Sequence, residues 1–177
     1  MANASALYSG VLDSPLGPLH AVAGDAGLAL LEFAEPQRLD AQLAALRRHF
    51  DIEPQPGAHP LLRHLAGELN AYFAGQLRAF TTPLQLPGSP FQRRVWAALL
   101  QIPYGQTRSY EALAQSLGDG AATRAVGSAN GANRLAIVVP CHRVLNKSGA
   151  LGGYGGGLWR KQQLLALEAR TAFALRG

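Results

Sequence analysis

Ile137-Val138-Val139-Pro140-Cys141-His142-Arg143-Val144 carries the only cysteine of a 177-residue chain. Its β-branched run reads as a short buried strand. Pro140 ends that strand, because proline lacks an N–H and biases Val139 towards extended backbone. A thiol and an imidazole follow at once. Neighbours on a regular strand point to opposite faces, so Cys141 and His142 would not touch there. Either the backbone turns at Pro140 or a water connects the two groups. The octapeptide also fits a buried structural cysteine beside an incidental histidine. Its surroundings have to decide.

Upstream, Asn133 before the strand Leu135 to Val139 suggests a turn held by the Asn side chain. Before it, Ala121 to about Gly131 reads as a helix of very small side chains, with Arg124, Val126 and Asn130 the exceptions. Such a slender helix fits tight packing against another element. It equally fits close approach to DNA, since an ordinary helix is too wide for a minor groove about 6 Å across. The preceding helix, Tyr110 to Leu117, takes Ser109 as its N-cap, and Gly118-Asp119-Gly120 turns between the two. The pair is a helix-turn-helix candidate. Ser89-Pro90 starts a further helix, with Ser as cap and Pro at the first position. Phe91, Val95, Trp96, Leu99 and Leu100 form its apolar face.

Downstream, Asn146-Lys147-Ser148-Gly149 is a hairpin-like turn. The run Gly152-Gly153-Tyr154-Gly155-Gly156-Gly157 lacks the Gly-Lys-Ser/Thr ending of a phosphate-binding loop. It reads instead as a wall that carries Tyr154 close to the thiol. Leu158 to Arg170 is the last helix, with Lys161, Leu164, Leu165 and Glu168 on one stripe. A carboxylate on an apolar stripe needs a partner. A nearby Arg or backbone amide would serve; so would His142, which a carboxylate orients and makes a better proton acceptor.

The N-terminal portion alternates short apolar runs with Gly/Pro/Asp clusters. Strands Tyr8–Asp13, Leu19–Ala23 and Leu28–Phe33 suggest an antiparallel meander. Helices follow over Arg38–Phe50 and Leu61–Phe73, separated by an Asp51–Pro60 loop, and Leu84–Leu86 is an edge-strand candidate. His20, His49, His59 and His64 share no local context and suggest no catalytic constellation. Thr82-Pro83 and Pro87-Gly88-Ser89-Pro90 read as the linker between residues 1–86 and 87–177.

Composition bounds the function class. No apolar run reaches membrane-spanning length, and Met1-Ala2-Asn3-Ala4-Ser5 lacks the basic start and apolar region of a signal peptide. One cysteine makes no intrachain disulfide, and no Cys/His cluster has zinc-ligand spacing. A reducing, cytoplasmic compartment, no membrane, no metal and no cofactor are expected. Net charge is +5, but residues 1–88 carry −3 and the remainder +8. The basic portion is the one that holds Cys141, which suggests a nucleic acid as partner.

Pro140-Cys141-His142-Arg143-Val144, with Arg124-Ala125-Val126-Gly127 upstream and the Gly-rich loop downstream, resembles the O6-alkylguanine-DNA alkyltransferases. The resemblance is dense from Ser89 to Glu168 and looser before it. It implies an α+β protein: an N-terminal ribonuclease-H-like small antiparallel sheet with helices, then a helix-turn-helix, winged-helix-like alkyltransferase domain. The implied function is suicidal, single-turnover DNA repair on double-stranded DNA carrying O6-alkylguanine, with O4-alkylthymine a candidate second substrate, by a monomer in solution. Cys141 would accept the alkyl group, His142 would take its proton through a water, and Glu168 would orient His142. Asn133 would support the turn beside the thiol. Tyr110 would protonate or hydrogen-bond the leaving guanine. Arg124 would fill the gap left by the flipped nucleotide, with Ala125, Gly127, Ser128, Gly131 and Arg143 also on DNA. Val139, Tyr154, Gly155 and Gly156 would line the pocket.

Three positions depart from the family pattern. Gly155 stands where several relatives carry a Ser that bonds the guanine O6. Ala136 replaces a pocket-wall Pro found in some, which widens the room for larger alkyl groups. The zinc-binding N-terminal cysteines of some relatives are missing. An alternative within the resemblance is a non-catalytic protein that flags alkylguanine for another pathway. Such relatives replace the acceptor cysteine, and Cys141 argues against it. A cysteine hydrolase built on Cys141, His142 and Glu168 is a more distant alternative.

Overall fold

A computed structural model describes residues 5–174, so Met1–Ala4, the greater part of the N-terminal stretch considered above, lies outside the described residues. No helix among them is long and apolar enough to cross a membrane. The chain divides into two compact units between Pro87 and Gly88.

The first unit is built on strands β1 (Tyr8–Leu12), β2 (Leu19–Gly24) and β3 (Gly27–Phe33). They pair antiparallel as a meander, with a bulge between Val22 and Ala23. Helix α1 (Pro36–Phe50) covers one face of the sheet, where Leu46 packs with Leu7, Val22, Ala29 and Leu30. Strand β4 (Gln55–Pro56), inside the stretch read as plain loop, adds to β1 in parallel. Helix α2 (Pro60–Phe73) covers the other face: a Cβ at Gly10 would touch Leu62 Cδ1 at 3.6 Å. With both faces covered, all seven residues of β3 are buried.

Both helices begin earlier than the apolar periodicity suggests, because Pro36 and Pro60 occupy the first turn, where a missing N–H costs nothing. The edge strand expected at Leu84–Leu86 shrinks to one parallel bridge, Leu28 to Leu84. Pro83 and Pro87 supply no ladder donors on either side. Nor is Thr82-Pro83 a free linker. Thr82 is buried, and the Glu68 carboxylate accepts hydrogen bonds from the backbone N–H and hydroxyl of both Thr81 and Thr82.

The second unit opens with α3 (Pro90–Leu99), which Ser89 and Gln92 close with a reciprocal capping box. Val95, Trp96 and Leu99 are buried, whereas Leu100, expected on the same face, is 40% exposed at the helix end. Strand β5 (Arg108–Ser109) leads into α4 (Tyr110–Ser116), whose Ala112 N–H donates to Ser109 Oγ at 3.0 Å. A 3-10 turn over Gly120–Ala122 precedes α5 (Thr123–Gly131), and α4 and α5 pack together as a helix pair. Strand β6 (Val144–Leu145) pairs in parallel with β5. Helix α6 (Leu158–Ala174) ends the unit.

Candidate alkyl-acceptor site

The strand expected over Leu135–Val139 is absent; the segment is a buried series of turns. Asn133 is the reason. Its Oδ1 accepts from Leu135 N at 3.0 Å and its Nδ2 donates to Val139 O at 2.9 Å, which folds the run back on itself. Val139 N then bonds Leu135 O at 2.9 Å, and Ile137 takes the left-handed conformation at φ 69°. A β-branched residue adopts that geometry only when its surroundings impose it. The backbone does turn at Pro140, as one of the two routes required. Cys141–Arg143 forms a 3-10 turn with Arg143 N bonded to Pro140 O at 3.0 Å.

That turn aims three side chains inwards. Cys141 is in no disulfide and is 7% exposed. His142 is fully buried, and its Nε2 lies 2.7 Å from Glu168 Oε2 on α6. Arg143 was expected on DNA, and this is corrected: the residue is buried, with Nε 2.8 Å from Glu168 Oε1, NH2 3.0 Å from Oε2, and NH1 donating to Ile102 O at 2.8 Å. Its guanidinium also lies over the Tyr104 ring. The arginine and histidine readings for the Glu168 partner therefore both hold.

Electrostatics fix the protonation of the pair. Burial pushes the Glu168 carboxyl up, but the hydrogen bonds and charges of His142 and Arg143 outweigh it and hold the group well below the usual carboxylate range. Burial lowers the His142 pKa; Glu168 raises it, and Arg143 and Lys161 lower it, for a net depression from 6.5. The imidazole is therefore neutral near pH 7. An ionised carboxylate only accepts, so Nε2 carries the proton and Nδ1 presents a lone pair. Nδ1 makes no hydrogen bond among the described residues.

Lys161 was assigned a place on the α6 stripe but no role. It is fully buried, and its Nζ donates to Val144 O at 2.7 Å, Gly153 O at 3.1 Å and Leu151 O. Burial lowers its pKa, and a negative charge on Cys141 raises it, which is the sign of a cation that favours a thiolate. The same three bonds tie the Gly-rich loop to the Cys141 turn. Tyr154 on that loop is half-buried, Gly155 is exposed, and Gly156 accepts from Arg160 NH1 at 2.8 Å. Val139, immediately before Pro140, is fully buried.

Tyr110 opens α4 with its ring between α5 and the Gly-rich loop. A Cβ at Gly127 would meet Tyr110 Cδ1 at 3.9 Å, and one at Gly152 would meet Cε2 at 3.4 Å. Gly152 sits at φ 69°, with Asn146 Oδ1 only 3.0 Å from the same Cβ position, so both backbone and space require glycine. Burial and the Cys141 charge raise the phenol pKa, and an Asn130 hydrogen bond lowers it, leaving it raised. Tyr110 is therefore a proton donor at neutral pH. On α5, Arg124, Ala125, Ser128 and Gly131 are exposed and Gly127 is half-buried, whereas Val126, Ala129 and Asn130 face inwards. Cys141, His142, Glu168, Asn133 and Tyr110 thus converge, and the small residues of α5 form an outward face beside them.

Two family models match the chain. The ribonuclease-like domain of 6-O-methylguanine DNA methyltransferase covers residues 7–86, and its DNA-binding domain covers residues 90–170. The chain is 48% identical to the methylated-DNA–protein-cysteine methyltransferase of Mycobacterium tuberculosis (strain ATCC 25618 / H37Rv) over 91% of its own length and 92% of that protein's. It is 39% identical to the protein of the same name from Methanosarcina barkeri, over 92% and 97%. Among solved structures, it is similar to the M. tuberculosis protein in complex with DNA, with a TM-score of 0.78 and 46% identity over 93% and 94% of the two chains.

Proposed function

The chain belongs to the 6-O-methylguanine DNA methyltransferase family, and on that footing we propose that it repairs DNA by direct reversal, moving the alkyl group of an O6-alkylguanine in double-stranded DNA to Cys141 Sγ. The observation that carries this reading is the buried chain Glu168–His142 beside the buried, undisulfided thiol of Cys141. A free cysteine has a pKa of about 8.5, so a base and a nearby cation are needed to raise its thiolate fraction. His142 Nδ1 supplies the base through a water, and Lys161 supplies the cation.

The chemistry is an in-line displacement. The Sγ–C bond forms as the C–O6 bond breaks, and the electron pair leaves with guanine. The thiol proton goes to His142, and the Tyr110 hydroxyl gives a proton to the leaving base, so the overall charge is unchanged. The target atom lies inside the duplex, and the nucleotide has to leave the stack at a cost of a few kcal/mol. Arg124 enters the vacated space, and the small side chains of Ala125, Gly127, Ser128 and Gly131 let α5 approach the minor groove. Val139, Tyr154, Gly155 and Gly156 form the pocket wall. The thioether product has no hydrolytic exit, so each molecule reacts once. The protein acts as a cytoplasmic monomer in this reading. A lesion-flagging, binding-only role has no observation in its favour, because the acceptor thiol and its base are both present.

The test is a titration of O6-methylguanine duplex with the full-length protein. Repaired guanine should plateau at one equivalent of protein. Product that keeps rising past that equivalence would exclude a suicidal transfer.

A further inference from the structure

Five of the six residues from Gly152 to Gly157 are glycine. Such a loop brings almost no side chains with which to hold itself, and glycine loses more freedom on ordering than any other residue. Its shape has to be imposed from outside, and the first turn of α6 does so by gripping carbonyls. Lys161 takes the leading end, donating to Leu151 O and Gly153 O. Arg160 takes the trailing end, its NH1 donating to Gly156 O at 2.8 Å. Tyr154 and Gly155 lie between the two grips, in a turn where Gly157 N donates to Tyr154 O at 3.0 Å.

Arg160 is buried, and arginine is seldom buried without support. Besides the Gly156 carbonyl it has the Trp159 ring, whose centroid lies 4.5 Å from the guanidinium carbon. Trp159 is 53% exposed, so the core does not account for it. What the ring covers does: it lies against Arg160, and a Cβ at Gly157 would come within 3.2 Å of its Cδ1. Gly157 also sits at φ 96°, so glycine is required there twice over.

We propose that Arg160 is a positioning residue, held by Trp159, that fixes the Gly156 end of the pocket wall and so makes the pocket favour small alkyl groups. This rests on the reading of Cys141 as acceptor and of Tyr154, Gly155 and Gly156 as pocket wall. Lys161 fixes the other end with or without Arg160. Once the Arg160 grip is released, Tyr154 and Gly155 swing outwards on glycine hinges. A methyl carbon then loses the close wall that aligns it with Sγ for in-line attack. A bulkier group still reaches the displaced wall.

The experiment measures single-turnover transfer to the full-length protein from two duplexes that differ only in carrying O6-methylguanine or O6-benzylguanine. Wild type, Arg160→Met, Trp159→Ala and the double variant are compared. Arg160→Met should lower the methyl rate about tenfold and the benzyl rate by less than about twofold. Trp159→Ala removes no charge and alters an exposed side chain, so it tests the idea even if the methionine variant fails to fold. It should shift the methyl-to-benzyl ratio the same way, by about threefold. The double variant should shift that ratio no further than Arg160→Met alone. A ratio unchanged from wild type, methyl and benzyl rates that fall together, or additive shifts in the double variant would overturn the role while leaving the transfer itself intact. A wild type that transfers neither group would overturn the reading of Cys141 as well.

Discussion

Glu168 is the residue on which the site turns, because one carboxylate serves both His142 and Arg143. Removing its charge strands a buried guanidinium. Glu168→Gln should therefore cost stability as well as transfer rate, on the order of 3–5 kcal/mol by chemical denaturation. Arg143→Met tests whether that guanidinium holds the core or contacts DNA. It should lower stability while leaving the salt dependence of duplex binding unchanged, whereas an arginine on phosphate would reduce that slope by about one. The protonation states also predict acid lability. His142 is held below 6.5 in the folded protein, so the unfolded chain takes up its proton first as the pH falls through 6.5. The depressed Glu168 contributes stability above 4.5 that is lost as the pH falls below it. Stability should therefore decline from pH 6.5 downwards, and more steeply below 4.5. His20, also lowered by burial, has the same sign. His142→Gln should thus shrink the upper part of the decline without abolishing it, as followed by thermal unfolding across pH. Sequence pattern showed Glu168 as a carboxylate in need of a partner. That Arg143 and His142 share it was not legible, because Arg143 sits two residues from the nucleophile and spacing says nothing about which way a 3-10 turn aims it.

At the scale of elements, α5 was legible from its small residues, its Arg124 near the start and the capped helix before it. Arg124→Ala should impair repair in duplex DNA while reaction with free O6-benzylguanine is largely retained, since only the duplex needs a stack filled. Equal loss with both substrates would make Arg124 structural. The segment before Pro140 was misread for a physical reason. Leu135–Val139 has the residue types of a strand, and propensity alone gives no warning that one amide can override it. Asn133 was recognised as a turn former, yet its reach to Val139 O, six residues on, is a tertiary fact. The meander of β1, β2 and β3 was readable because Gly and Pro punctuate it. The two-residue β4 was not, because Gln55–Pro56 has neither the length nor the residue types of a strand and exists only by pairing with β1.

For the whole molecule, charge is divided as the chemistry is: −3 over residues 1–88 and +8 over the rest. Sequence-independent phosphate contacts should come from the basic unit. With Cys141→Ser as a non-reacting background, Arg93→Ala should weaken duplex binding and flatten its salt dependence, and Arg63→Ala should do neither. Both side chains are exposed, so neither substitution disturbs a core. Fluorescence anisotropy of a labelled duplex over a salt series measures both effects. In this reaction Cys141 itself ends up carrying the alkyl group. Peptide-resolved mass spectrometry after one incubation with O6-methylguanine duplex tests it most directly. A single methyl group should be found on Cys141, in an amount equal to the guanine repaired, and none in Cys141→Ser. Repair without a methylated Cys141, or a methyl group on another residue, would contradict it.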